Sequence, residues 1–154
     1  MIQIERAAAD DFLSVAALDR IAWPIRPDTF IPDGEHIWRV WAEHAVLIVA
    51  RLTDGRRMPD SQDVAGAAVM FSTTDDELFL HKVMVHPECR SQGVGSALLQ
   101  AAIEEADRTV LLTVDPENVN AVQLYRKFGF TQRAHVTGYY RPHEHRLVMQ
   151  FQPD

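Results

Sequence analysis

The sequence predicts an α/β fold, a mixed sheet flanked by helices, and three observations support it. Short apolar runs of strand character are interspersed along the chain with segments of helical periodicity. One of those runs, L-F-L-H-K-V-M-V at 78–85, is apolar on both faces apart from His81 and Lys82, the pattern of a strand in the middle of a sheet. It passes through His86 and Pro87 into a turn containing Gly93 and Gly95, after which a helical pattern begins. A strand that runs through a glycine turn into a helix makes an anion site. The first N–H groups of the helix lack intrahelical partners, and the helix dipole adds its partial positive charge.

Taken in order, Ile2 and Ile4 alternate with Gln3 and Glu5 as a short strand does. Asp10, an N-cap candidate, then precedes a helix carrying Phe12, Leu13, Val15, Ala16 and Ile21. Pro24, Pro27 and Pro32 break 23–33 into a loop with aromatic and charged content. A second helix over 33–44 sets Ile37, Val40 and Trp41 at i, i+3 and i+4, and 45–50 reads as a buried strand. Residues 53–63 are polar and turn-rich, with Asp54 and Gly55 as a hairpin signal. Strands at 64–71 and 78–85 follow. Beyond the glycine turn, Val94, Ala97, Leu98 and Ala101 form the buried stripe of a helix ending near Asp107, and 110–114 is a strand. Asn118 or Asn120 caps a short helix whose apolar face is Ala121, Leu124, Tyr125 and Phe128, and Gly129 ends it. Two antiparallel strands at 130–136 and 146–151 close the chain. With no repeat, linker or low-complexity tract, residues 1–154 read as one domain.

Composition narrows the class. A chain of 154 residues with 47% apolar and 24% charged residues suits one globular domain with a sizeable core. No stretch approaches the roughly 18 apolar residues of a membrane span, so a soluble, cytoplasmic protein with no membrane partner is expected. A formal net charge of −7 disfavours nucleic acid and anionic membranes and favours cationic acceptors such as amines and basic peptide ends. The lone cysteine, Cys89, rules out an intrachain disulfide framework and a cysteine-rich zinc site. Arg90 and nearby N–H dipoles offer it a lowered pKa; otherwise it simply fills the turn. His143 and His145 lie in a loop-to-strand stretch without an H-E-x-x-H helix, so no metal is expected.

The glycine turn excludes two phosphate motifs. A P-loop needs Gly-Lys-Ser/Thr, whereas Ser96 and Ala97 follow Gly95; a dinucleotide fingerprint needs a third glycine where Leu98 stands. Arg90-x-x-Gly93-x-Gly95, behind a strand ending in Val-His-Pro, resembles instead the acetyl-CoA pyrophosphate motif of the GNAT superfamily of N-acetyltransferases. Downstream, Asn118-x-x-Ala121-x-x-Leu124-Tyr125-x-x-x-Gly129-Phe130 is similar to that family's second signature and stands at the expected distance. The element order matches the family's over nearly the whole chain.

The resemblance implies the GNAT acyl-CoA N-acyltransferase fold, with a central sheet splayed at the acetyl-CoA site. The pantetheine arm would lie along Val83, Met84 and Val85, and the pyrophosphate against Ser91, Gln92, Gly93, Val94, Gly95 and Ser96 beside Arg90. Asn118 and Tyr125 would complete the acetyl-CoA site. The implied chemistry is direct attack of an amine on the thioester, which needs a proton acceptor, an N–H donor for the oxyanion and a proton for the leaving thiolate. Tyr125 is the candidate acid, although periodicity alone makes it a core aromatic. His81 is the candidate base, because arylalkylamine N-acetyltransferases carry a histidine at the matching strand position, and Glu77 is the second choice.

For the acceptor, Gly138-Tyr139-Tyr140-Arg141-Pro142 followed by Leu147-Val148-Met149 looks like the closing region of ribosomal-protein alanine N-acetyltransferases and related protein Nα-acetyltransferases. Those enzymes place a glutamate where this chain has Thr113. The loop bearing Trp23 and Phe30 would cover the acceptor site, with Tyr139 and Tyr140 beside it. A peptide or protein N-terminus is the leading acceptor; a polyamine or arylalkylamine, or a non-catalytic acetyl-CoA sensor, are the alternatives. Dimers are frequent in the family, which makes a homodimer an open expectation.

Overall fold

The structure, a computed structural model, describes residues 1–23 and 30–154. Its elements run β1 Ile2–Arg6, α1 Phe12–Ala22, α2 Glu35–His44, β2 Val46–Leu52, β3 Val64–Ser72, β4 Leu78–Val85, α3 Val94–Glu105, β5 Val110–Val114, α4 Val119–Lys127, β6 Thr131–Val136 and β7 Arg146–Phe151. The sheet order is β1-β2-β3-β4-β5-β7-β6, so β4 is central, as its two apolar faces require. The β4–β5 pair is parallel, and the other neighbours in that order pair antiparallel. No helix among the described residues is long and apolar enough to cross a membrane.

Helices cover both faces. Leu98 and Leu99 of α3 pack with Ile48, Met70, Leu80, Leu112 and Phe130 on one side of the sheet. Val15 and Leu18 of α1 and Trp38 of α2 pack with Leu47, Val49, Val69 and Met84 on the other. Strand β2 divides its side chains between the two layers, Ile48 and Ala50 to one and Leu47 and Val49 to the other. The approach of α3 to β3 depends on Gly66, where a Cβ would lie 2.9 Å from both Leu98 Cδ1 and the Met84 carbonyl oxygen.

Several expected faces are turned relative to the sequence pattern. In α2, Ile37 and Val40 are exposed and Trp38 is the buried residue. Its indole Nε1 donates to Asp19 Oδ2 at 3.2 Å, so a polar partner within the core orients the helix. The α2 N-cap is Gly34, which leaves Asp33 in the preceding loop. In α3 the fully buried residues include Leu99 and Ala102, whereas Ala97 and Ala101 are half-buried. In α4 Val122 is the most buried residue, and the expected face of Ala121, Leu124, Tyr125 and Phe128 is half-buried against the same core. A 3-10 turn over Ala9–Asp11 precedes α1, and Asp11, not Asp10, accepts the Ala8 N–H at 2.8 Å.

Strand β4 carries one irregularity with a functional consequence. Val69 of β3 pairs with Lys82 and Met70 pairs with Leu80, which makes His81 an extra residue, a β-bulge. The bulge resets the two-residue alternation. Leu78 and Leu80 face the α3 side, Lys82 and Met84 face the α1–α2 side, and His81 packs 5.2 Å from the Trp41 ring of α2. Adjacent residues His81 and Lys82 thus reach the same side.

Candidate active site

The parallel β4–β5 ladder consists of two pairs, Leu78↔Val110 and Phe79↔Leu111. Beyond them the strands part, and a cavity of about 830 Å³ adjoins the opening. The β4 wall contributes His81, Lys82 and Val83, and the wall opposite contributes Thr113 and Val114 of β5 with Asn118, Ala121 and Tyr125. Trp23, Phe30, Ile31 and Asp33 close one end, and Tyr140, Arg141, Glu144 and Arg146 another.

Local structure explains how α4 presents its tyrosine. Asn118 Oδ1 accepts the Ala121 N–H at 3.2 Å and fixes the start of the helix. Gly129, at φ +102°, ends it, and the Tyr125 ring meets Phe130 edge-on at 5.8 Å. Burial pushes the Tyr125 phenol above its ordinary pKa, so the hydroxyl stays protonated at neutral pH and is available to donate.

A charged network occupies the wall opposite. Asp19 is fully buried, and Lys82 Nζ lies 2.7 and 2.8 Å from its two oxygens. Asp33 Oδ2 receives Lys82 Nζ at 2.8 Å and lies 3.0 Å from His81 Nε2. Burial acts to raise the Asp33 pKa, but hydrogen bonds from His81 and Lys82 and the nearby charges outweigh it, and the carboxyl titrates at about 2. The Lys82 ammonium also sits 5.0 Å from the centre of the Phe30 ring.

The glycine turn lies at the far end of β4. Ser91 and Gly93 adopt left-handed φ values of +62° and +80°. The first bond of α3 runs from the Ala97 N–H to the Gly93 carbonyl at 3.0 Å, so the N–H groups of Val94, Gly95 and Ser96 lie ahead of the helical ladder. A Cβ at Gly95 would make an ordinary contact, 3.6 Å from the Val85 side chain. The Arg90 guanidinium donates to the Ala22 carbonyl and so ties the turn to the C-terminal end of α1. Cys89 is buried and its thiol is pushed up by desolvation, which makes it the filler of the turn and removes the lowered pKa as a reading.

The candidates separate by position. Tyr125, His81, Val83, Asn118, Trp23, Phe30 and Tyr140 share the cavity. Glu77 lies outside its lining and binds Arg133 at 2.9 Å, an ion pair that occupies the second-choice base. Tyr139 also lies outside, stacked edge-on against Tyr140 at 4.8 Å. The Tyr140 hydroxyl is 3.5 Å from Thr113 Oγ1, and Arg146 lies over its ring at 5.1 Å. Met84 turns its side chain into the α1–α2 core, and residues Arg90, Ser91, Gln92, Gly93, Val94, Gly95 and Ser96 form the separate turn.

Among the residues of the site or its support that the sequence does not single out are Asp19, Asp33, Lys82 and Glu144. Lys82 left a trace, since a charge in a central strand demands a partner. Glu144 is 4% exposed, is held by Arg141 at 2.5 Å, and also lines a neighbouring cavity of about 430 Å³ with His135, His143 and His145. Among the described residues, no group of three or more His, Cys, Asp or Glu side chains is arranged to hold a metal ion.

A mixed sheet parted between two parallel strands, with a glycine turn at the end of one and a half-buried phenol across the opening, is the acyl-CoA N-acyltransferase architecture. The chain belongs to the GNAT acetyltransferase family, whose model matches residues 15–130. It is 38% identical over 66 residues to an uncharacterized N-acetyltransferase of Methanocaldococcus jannaschii, covering 40% of this chain and 29% of that protein. It is 35% identical over 69 residues to the ribosomal protein bS18-alanine N-acetyltransferase of Escherichia coli K12, covering 42% of this chain and 47% of that protein. These matches thus span less than half the length of either relative. The crystal structure of the ribosomal-protein-S18-alanine N-acetyltransferase from Escherichia coli superposes with a TM-score of 0.80 at 22% identity, over 99% of this chain and 94% of that one, a likeness of fold.

Proposed function

We propose that this chain transfers the acetyl group of acetyl-CoA to a primary amine by direct attack, with a peptide or protein N-terminus as the acceptor. The observation that carries the proposal is the early end of the β4–β5 ladder. Beyond Phe79 the β5-facing edge of β4 has no ladder partner, so N–H and C=O groups around Val83, Met84 and Val85 are positioned for the amides of an extended pantetheine chain. That arm would lead to the turn from Ser91 to Ser96, where the pyrophosphate finds unpaired N–H groups and a helix dipole.

The step balances without a covalent enzyme intermediate. The neutral amine forms a C–N bond to the acetyl carbonyl while an N–H of β4 supports the oxyanion, and collapse breaks the C–S bond. The amine proton passes to His81, and the thiolate takes a proton from Tyr125, giving N-acetyl amine and CoA. An alkylamine with a pKa near ~10 is mostly protonated at neutral pH, so a cleft that accepts its proton contributes directly to rate. A peptide N-terminus titrates near ~8 and makes a smaller demand on the base; Thr113, a departure from the glutamate of related peptide acetyltransferases, leaves that demand to His81. The name of the Escherichia coli relative supports the peptide class.

The test is CoA release, followed with a thiol reagent, across peptides beginning with Ala, Ser or Met, polyamines and arylalkylamines, with amine-free blanks. Release confined to peptides supports the proposal. Release confined to polyamines or arylalkylamines moves the acceptor to small amines, and acetyl-CoA binding without release for any amine marks a sensor.

A further inference from the structure

We propose that Asp33 is a positioning residue for His81, holding the imidazole as the tautomer with its proton on Nε2 and leaving Nδ1 to accept the proton of the incoming amine. The proposal rests on the N-acetyltransferase reading above and adds a residue and an atom to it.

The β-bulge brings His81 and Lys82 to one side of the sheet, and Asp33 meets both with a single oxygen. Asp33 is itself fixed twice. Its backbone N–H donates to Asp19 Oδ2 at 2.9 Å, and Lys82, which holds its carboxylate, is anchored in turn by Asp19. A carboxylate that titrates at about 2 is ionised at every pH at which an acetyltransferase is assayed, and an ionised carboxylate only accepts hydrogen bonds. The proton in the 3.0 Å contact therefore belongs to Nε2. In the neutral ring the lone pair then lies on Nδ1.

The groups facing the ring come from four directions. They are Asp33 from the loop before α2, the Trp41 ring of α2 at 5.2 Å, and the Phe71 and Phe79 rings of β3 and β4 at 6.1 and 6.5 Å, with Lys82 of β4 on the same Asp33 oxygen. The aromatic walls restrain the plane of the imidazole while the carboxylate sets its tautomer. When the amine attacks, its proton moves to Nδ1, Nε2 keeps its own, and the imidazolium faces the Asp33 carboxylate until the proton leaves to solvent. Asp33 takes up no proton at any step.

The experiment reads tautomer and turnover separately on the full chain. Long-range ¹H–¹⁵N spectra of ring-labelled histidine, with the His81 signal assigned by His81→Gln, report which nitrogen carries the proton without any reaction. The wild type is expected to show the Nε2–H form. Asp33→Asn, whose amide is able to donate to Nε2, is expected to lose that pattern and to lower kcat by about 10²-fold or more, in the range for general acid–base catalysis. Acetyl-CoA Kd and amine KM should stay within about threefold, and Asp33→Glu should recover part of kcat. Lys82 keeps Asp19 as a partner in the variant, and a thermal melt checks that the fold is intact. An Nδ1–H form in the wild type, unchanged kcat in Asp33→Asn, or a loss confined to KM each overturns the assignment. Should the wild type acetylate no amine, the transferase reading fails on its own, and the spectrum still decides whether Asp33 sets the tautomer.

Discussion

Replacing Gly66 by alanine links the packing of the sheet to the glycine turn before α3, the proposed acetyl-CoA site. The new Cβ would stand 2.9 Å from Leu98 Cδ1, 2.9 Å from the Met84 carbonyl oxygen and 3.0 Å from Val94 Cγ1. The contact with the carbonyl has to be relieved by a shift between β3 and β4, and the contacts with Leu98 and Val94 by a shift of α3. Overpacking of this kind costs about 1–3 kcal/mol, against a gain of about 0.4–1 kcal/mol from the stiffer unfolded chain. The central values leave a net loss of about 1–2 kcal/mol, which for a chain of this length lowers the melting temperature by roughly 2–8 °C. Because Val94 is the first residue of α3 and one of the three contacts, the displacement reaches the N–H groups of the turn. Acetyl-CoA affinity is expected to fall by about 3- to 10-fold, or about 0.7–1.4 kcal/mol. Calorimetry and equilibrium binding measure both quantities. An unchanged or raised melting temperature with unchanged affinity would show that α3 does not bear on β3 at this point.

Other expectations concern the site directly. Tyr125→Phe should lower kcat by about 10²-fold with acetyl-CoA Kd within twofold, measured by steady-state turnover and titration, because it removes a protonated hydroxyl and keeps the half-buried ring. Gly93→Ala should cost about 1–2 kcal/mol through its left-handed φ of +80° and weaken acetyl-CoA binding, as denaturant unfolding and titration will read. The Asp33 carboxyl titrates at about 2 in the fold against 3.8 ordinarily, so its contribution to stability is complete above about pH 4 and is lost as the pH falls toward 2. Melts at pH 5, 4, 3 and 2 should therefore fall more steeply for the wild type than for Asp33→Asn.

The motifs that identify the family are local, and for that reason they were legible. Gly93 and Gly95 state a turn, Asn118 caps a helix through its own third residue, and Gly129 stops that helix with a left-handed φ. Helix faces were harder to read, because burial depends on what lies opposite. Periodicity nominated Ile37 and Val40 in α2, but Asp19 takes the indole N–H of Trp38 and turns that residue inward instead. Glu77 shows the same limit: its position at the head of β4 was visible, whereas its pairing with Arg133, 56 residues away, was not.

By itself the sequence determined the order of the elements, the central place of β4, the glycine turn and the tyrosine helix, since each is encoded by residues within a few positions of one another. Only the tertiary structure decided which polar groups share the cleft. Asp19, Asp33 and Lys82 are scattered along the chain, and a one-residue bulge at His81 determines that His81 and Lys82 face the same side. A change of register by one residue reverses every side chain beyond it, and that change arises from pairing with β3, which the residues of β4 do not specify alone.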